Sequence, residues 1–196
     1  MANKLRIKIF TNIIVMKRTL ALIALSLAFS LGTRAQEPQS SVDPDIEYAA
    51  DLLKPGTKAP DFTLLTPEGK KLTLSQFKGK IVVLDFWASW CPDCRKELPA
   101  IEEAYEKYGK EGVVFIGVSF DDNKDKWTGA IKDYGLGYHQ VSELKKWKQT
   151  DISPLYRIKW IPTLYVIDRK GKVALGTVVT EKMVSKLEEL TGRGDR

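Results

Sequence analysis

Apolar and polar positions divide the chain into short, sharply bounded segments. Residues 62–65 and 71–74 flank the pentapeptide TPEGK, whose Pro67 and Gly69 are turn formers, and predict a β-hairpin. The stretch IVVLDFWA, residues 81–88, is a continuous apolar and β-branched run of the kind a buried central strand requires. Beyond it Leu98, Ile101, Tyr105 and Tyr108 recur near helical spacing and predict a helix over 91–108, kinked at Pro99 and stopped by Gly109 or Gly112. VVFIGVSF, residues 113–120, predicts a second strand, and DKWTGAIKDYG a short helix starting after the acidic pair Asp121 and Asp122. The last third predicts a strand over 163–168, a turn at DRKGK, a strand over 173–175 and a terminal helix over 181–190. Strand, helix, strand without internal repeats defines a parallel α/β unit with a right-handed crossover. With the hairpin packed beside it, the expected fold class is α/β, a mixed central sheet flanked by helices.

The segment 36–54, QEPQSSVDPDIEYAADLLK, opens with proline, serine and acidic residues and shows no sustained period. It reads as a linker, so the domain is expected to span 55–192, with a short tail over 193–196. In front of the linker, MKRTLALIALSLAFSLGTRAQ sets Lys17 and Arg18 before an apolar run over 20–31 and then small residues, Thr33 and Ala35, ahead of Gln36. This is the three-part layout of a secretory signal, placed over 1–35 with Met16 as an alternative start. The apolar run is shorter than the ~20 residues a spanning helix needs, so cleavage is expected, and an uncleaved anchor is the alternative. The mature chain is then expected to be soluble, exported to a periplasm or cell envelope where disulfides persist.

Composition narrows the field further. A chain of 196 residues, 43% hydrophobic and 29% charged, suits one globular domain plus extra sequence. The formal charge of +6 carries less than it promises, because Lys4, Arg6, Lys8, Lys17, Arg18 and Arg34 all fall in the first 35 residues, which hold no acid. The remainder is balanced, and no nucleic-acid partner is expected.

The candidate chemistry sits at the end of the buried strand, in WCPDC. Cys91 and Cys94, the two cysteines of the chain, are expected at the start of a helix and one turn further in. Unpaired backbone N–H groups and the helix dipole stabilise a thiolate there, and a partner three residues on can close a small ring. That is a reversible dithiol switch, with Cys91 as the exposed attacker and Cys94 as the resolver. A zinc site lacks ligands, since His139 is the one histidine in the chain, and an inert disulfide over so small a loop adds little stability. Asp93, between the cysteines, opposes the thiolate and favours a reducing dithiol. Glu97 lies three residues after Cys94 on the same helical side, placed to handle its proton. Asp85 stands in an apolar strand, where burial raises its proton affinity and makes it a usable acceptor. Trp90 and Trp160 adjoin the expected site loops and read as rim contacts. The Arg-Gly-Asp triplet at 193–195 is a three-residue match in a charged tail and is set aside.

VVLDFWASWCPDC resembles the active-site strand and loop of thioredoxins, with Asp85 six residues before the first cysteine and Pro99 eight residues after it. YRIKWIPTLYVID is similar to the segment that carries their cis-proline, here Pro162. Within that superfamily the chain resembles the exported TlpA/ResA-like proteins in its PGTKAPDFTLLTPEGKKLTLSQFKGK opening, in an insertion around 121–150 and in Glu97. The resemblance implies a thioredoxin-like fold with an N-terminal β-hairpin and a central insertion, a thiol:disulfide oxidoreductase without bound cofactor or metal, and a monomer. It implies protein dithiol or disulfide substrates held against Trp90, Pro92, Trp160, Ile161 and Pro162, and a membrane electron-transfer protein as redox partner. The sequence departs from thioredoxin in having Cys-Pro-Asp-Cys and no lysine in VVFIGVSF to pair with Asp85. A thiol peroxidase of related fold is one alternative, although the threonine expected three residues before its nucleophile is Ala88. A copper-binding module using two cysteines and a histidine is the other, although its cysteines stand one residue further apart.

Overall fold

The computed structural model describes residues 42–192. The signal segment over 1–35 and the tail over 193–196 lie outside them. In chain order the regular elements are α1 (Pro44–Tyr48), β1 (Thr63–Leu65), β2 (Lys71–Thr73), β3 (Val82–Trp87), α2 (Pro92–Tyr108), β4 (Val114–Ser119), α3 (Lys124–Asp133), β5 (His139–Ser142), α4 (Ile152–Leu155), β6 (Thr163–Ile167), β7 (Val173–Thr177) and α5 (Thr180–Thr191). The strands form one sheet in the order β2-β1-β5-β4-β3-β6-β7. Strands β3, β4 and β5 run parallel, and the remaining pairings are antiparallel. This is the mixed, thioredoxin-like α/β architecture expected from the sequence.

Burial follows the sequence pattern. All six residues of β3 and all five of β6 are buried, as befits neighbouring strands at the middle of the sheet. The hairpin turns at Gly69, whose φ of 77° is the left-handed conformation that glycine adopts without strain. Helix α2 starts with Pro92 at its first position and buries Cys94, Leu98, Ile101, Ala104 and Tyr108 as its inner face. It ends at Gly109, and Gly112, at φ 85°, turns the chain into β4.

One expectation needs correction, and another gains a strand. The stretch read as a linker joins the fold from Asp43 onward: Ala49, Leu52 and Leu53 lie in the core, and Leu53 N donates to Tyr165 Oη at 2.9 Å. Asp45 accepts from Thr177 Oγ1 and Val178 N, both at 2.8 Å, and Lys182 pairs with Asp43 and Asp45. The apolar residues of YAADLL are too few to show a period, so only their packing reveals them. The region read as an insertion contains β5, which fills the gap between β4 and the hairpin. This strand is four residues long and opens on exposed His139 and polar Gln140, which masks its signal.

Candidate active site

Cys91 and Cys94 are disulfide-bonded, with Cα atoms 5.3 Å apart. Cys91 is the N-cap of α2, and its Sγ accepts from Cys94 N at 3.1 Å, so the sulfur meets one of the backbone N–H groups that a helix start leaves open. The backbone carbonyl of Ile161 lies 3.6 Å from Cys91 Sγ. The Ile161–Pro162 bond is cis, as the resemblance implied. Cys91 is not the exposed sulfur the sequence suggested: it is 4% exposed, against 1% for Cys94. The Ile161 carbonyl lies against it from the facing segment. Pro92 is exposed beside it.

A residue the sequence did not mark as functional holds that loop. Asp121, just after β4, is buried and accepts from Ser89 Oγ at 2.6 Å, Ser89 N at 2.9 Å and Ser119 Oγ at 2.7 Å. Arg95, from the first turns of α2, donates to Ser89 O at 3.0 Å. The turn between β3 and Cys91 is thereby fixed from both sides. Trp90, next to Cys91, is 50% exposed, and its ring lies 6.2 Å from that of Trp147. Trp160, 37% exposed, stacks on Tyr48 at 4.3 Å. The two tryptophans thus stand on aromatic supports, one from the segment after β5 and one from α1.

Asp85 is 1% exposed and points to the face of the sheet that α2 covers. Its Oδ2 accepts from Tyr138 Oη at 2.9 Å, and the Tyr138 ring packs against Tyr105 of α2. The inner face of α2 that carries Cys94 is directed into the same layer. Burial pushes the Asp85 carboxyl up to about 7, and the Tyr138 hydrogen bond offsets part of that rise. Tyr138 therefore takes the place of the missing lysine partner. Its signal lay in LGYHQV, where Tyr138 and Gln140 alternate about His139.

Glu97, half-buried, accepts from Thr180 Oγ1 at 2.6 Å, at the start of α5. It is tied to the neighbouring helix beneath the Cys94 turn. His139 sits in the row of Leu84 and Ile116, on the opposite sheet face from Asp85, with its ring 5.5 Å from that of Phe77. It does not join the cysteines. Asp93 ion-pairs with Lys96 at 2.9 Å, both side chains being exposed.

A dithiol pair at a helix start, faced by a cis-proline segment at the centre of a mixed sheet, defines a thioredoxin-like redox protein. The chain belongs to the AhpC/TSA family, whose model matches residues 55–175. It is 36% identical over 134 residues to the thiol-disulfide oxidoreductase ResA of Bacillus thuringiensis subsp. konkukian, covering 68% of this chain and 75% of that protein. It is 35% identical over 141 residues to the thioredoxin-like protein YneN of Bacillus subtilis, covering 69% of this chain and 80% of that protein. Its fold is similar to the thioredoxin domain of a thiol-disulfide oxidoreductase from Bacteroides vulgatus, with a TM-score of 0.65 at 30% identity over 71% of this chain and 99% of that one. The protein is a thiol-disulfide oxidoreductase of thioredoxin-like fold.

Proposed function

We propose that this chain is an exported oxidoreductase that reduces protein disulfides through Cys91 and Cys94. One observation carries the reading: the Cys91–Cys94 pair lies at the start of α2 with the Ile161 carbonyl 3.6 Å from the Cys91 sulfur. In the reduced protein the helix start stabilises the Cys91 thiolate, which attacks a substrate disulfide. One substrate sulfur leaves as thiolate and the other stays bonded to Cys91. Cys94 then gives its proton to a carboxylate, Asp85 with Glu97 in support, and its thiolate attacks the Cys91 sulfur. The Cys91–Cys94 bond forms as the bond from Cys91 to substrate breaks, and the second substrate sulfur leaves as thiolate. Two electrons have passed to the substrate, and a partner dithiol must return them; a membrane electron-transfer protein suits an exported chain. The exposed faces of Trp90, Pro92 and Trp160 and the Ile161 backbone form the rim that an extended substrate segment would meet.

Export is supported by the basic, apolar and small-residue layout over 16–35. Among the described residues no helix is long and apolar enough to cross a membrane. Mass spectrometry of the secreted chain is expected to find an N-terminus at or near Gln36. An intact Met1 on a cytosolic protein would remove the compartment from the reading. The direction is tested by equilibrating the dithiol with glutathione buffers. Asp93 favours a potential below about −200 mV, with its exposed pairing to Lys96 screening only part of the charge. A value near −120 mV, the range of a strong oxidant, would make the protein an oxidase instead.

A further inference from the structure

On the sheet face under α2, three strands contribute to one row of side chains. Asp85 on β3 is in register with Gly117 on β4, and Gly117 with Gln140 on β5. Gly117 is the notch in that row: a Cβ there would stand 2.3 Å from Gln140 Oε1 and 2.7 Å from Nε2. The Gln140 side chain therefore lies across β4 and reaches β3, where its Oε1 accepts from Trp87 Nε1 at 3.1 Å. Its Nε2 is buried beside the Tyr138 side chain and, among the described residues, meets no acceptor in full hydrogen-bond geometry. Asp85 is its complement, with Oδ2 held by Tyr138 and Oδ1 buried and, among the described residues, unpaired. A buried amide donor on β5 and a buried acceptor on β3 thus face the same layer, in one register row with Gly117 between them.

We propose that Tyr138 and Gln140 are positioning residues for Asp85: the Tyr138 hydroxyl fixes Oδ2, and the Gln140 amide is the donor that Oδ1 gains when the carboxyl is charged. This rests on the reading of Asp85 as the acceptor of the Cys94 proton. Both helpers are neutral, and that is the point of the arrangement. A buried lysine in their place would bias the carboxyl toward the charged form, whereas no donor at all would bias it toward the protonated one. Hydrogen bonds from neutral donors favour the charged form without fixing it, so the carboxyl can take up and release a proton inside the core. The Tyr138 hydroxyl keeps its own proton, because burial and the nearby Asp85 raise its pKa well above the usual tyrosine value, which the Gln140 amide beside it offsets only in part. Few other ionisable groups bear on the pair. Helix α2 brings Cys94, half-buried Tyr105 and Glu102, whose carboxylate accepts from Gly137 N at 3.2 Å. Strand β4 brings Gly117 and Phe115, and β6 brings Leu164 in register with Asp85.

The test reads Asp85 directly, in the oxidised full-length protein, by the infrared band of its protonated carboxyl titrated from pH 5 to 9 and assigned by its loss in Asp85→Asn. Tyr138→Phe is expected to move the midpoint up by about one to two pH units, the loss of a hydrogen bond to a charged group. Gln140→Leu is expected to move it up by less. Replacing Tyr138 by 3-fluorotyrosine, a stronger donor of the same shape, is expected to move it down, which keeps the test sound should Tyr138→Phe fold poorly. A midpoint unmoved by both Tyr138 changes overturns the role of Tyr138, and one unmoved by Gln140→Leu overturns that of Gln140. Because no substrate enters this titration, it stands apart from the proposed direction and partners. The pH profile of the resolving step in Tyr138→Phe is expected to shift with the band. A shifted band with an unshifted rate profile would leave the positioning intact and remove Asp85 from the proton transfer.

Discussion

Among the described residues, on the face of the sheet beneath α2 Asp85 and Gln140 each keep one buried polar atom without a full hydrogen bond, whereas on the opposite face Ser153 Oγ of α4 does so and the buried tyrosines are closed off. There Phe86 meets the rings of Phe120, Tyr156 and Tyr165 at centroid distances of 6.0, 5.4 and 6.1 Å. Tyr156 Oη donates to the Pro60 carbonyl at 2.5 Å, and Tyr165 Oη donates to the Tyr156 carbonyl at 2.7 Å while accepting from Leu53 N. An unsatisfied buried polar group costs about 1–3 kcal/mol. The aromatic face avoids that cost at its tyrosines and ties α4 and the 43–54 segment to β6. The α2 face accepts it next to the dithiol helix, where the proposed proton transfer calls for a group that changes charge. On the proposed reading, one face is built to stay as it is, and the other to alternate between two protonation states.

Four measurements sharpen or break this contrast. The largest effect belongs to Cys94→Ala, which is expected to abolish turnover and leave substrate trapped on Cys91 as a mixed disulfide, detectable by non-reducing electrophoresis. Turnover without trapped intermediate would mean that Cys91 works alone. Next, Asp85→Asn combined with Glu97→Gln is expected to slow the resolving step by about 10² to 10⁴ while Cys91 still attacks disulfides. Each single change should give part of the loss, without additivity if the two share one proton network. Stopped-flow rates indifferent to both changes across pH 6 to 9 would reduce the α2 face to structure.

The third measurement is of stability. The Asp85 carboxyl titrates at about 7 in the fold, above its usual 3.8, so it does not penalise folding below pH 4 and does so increasingly as pH rises through 7. The gap of roughly 3 pH units corresponds to about 4 kcal/mol at most. Asp85→Asn is thus expected to stabilise the oxidised protein at pH 8 by up to that amount and by little at pH 4, as read by urea unfolding at both pH values. A gain equal at both would show that the carboxyl does not bear a proton in the core. Smallest is Tyr165→Phe on the aromatic face, which leaves Leu53 N and the Tyr156 carbonyl unpaired. It is expected to cost about 1–3 kcal/mol equally at pH 5 and pH 8, with the resolving step untouched. A pH-dependent loss there would erase the difference between the faces.

Much of the site was legible because its parts are neighbours in the chain. WCPDC at the junction of an apolar strand and a helix, and the WIPT segment with its proline, state their chemistry over a few residues each. The same holds for β3 and β6, whose continuous apolar runs can only be central. Legibility failed where a strand was short and polar, as in HQVS, and where core residues were scattered among polar ones, as in the 43–54 segment. Asp121 shows a third way to miss a residue. It was noticed as part of an acidic pair before α3, yet its role is to hold Ser89, 32 positions earlier.

The sequence by itself therefore determined the dithiol, its place at a helix start, the proline segment and the class of fold, since each depends on spacings of a few residues that backbone geometry turns directly into structure. Only the tertiary structure decided which group answers Asp85. Tyr138 stands 53 residues away, as Thr180 stands 83 residues from Glu97, and no local pattern joins them. Strand order places β5 two strands from β3, and register places Gln140 opposite Gly117 and Gly117 opposite Asp85. Because side chains alternate across a sheet, a slip of β5 by one residue would carry Tyr138 and Gln140 to the other face and bring His139 to theirs.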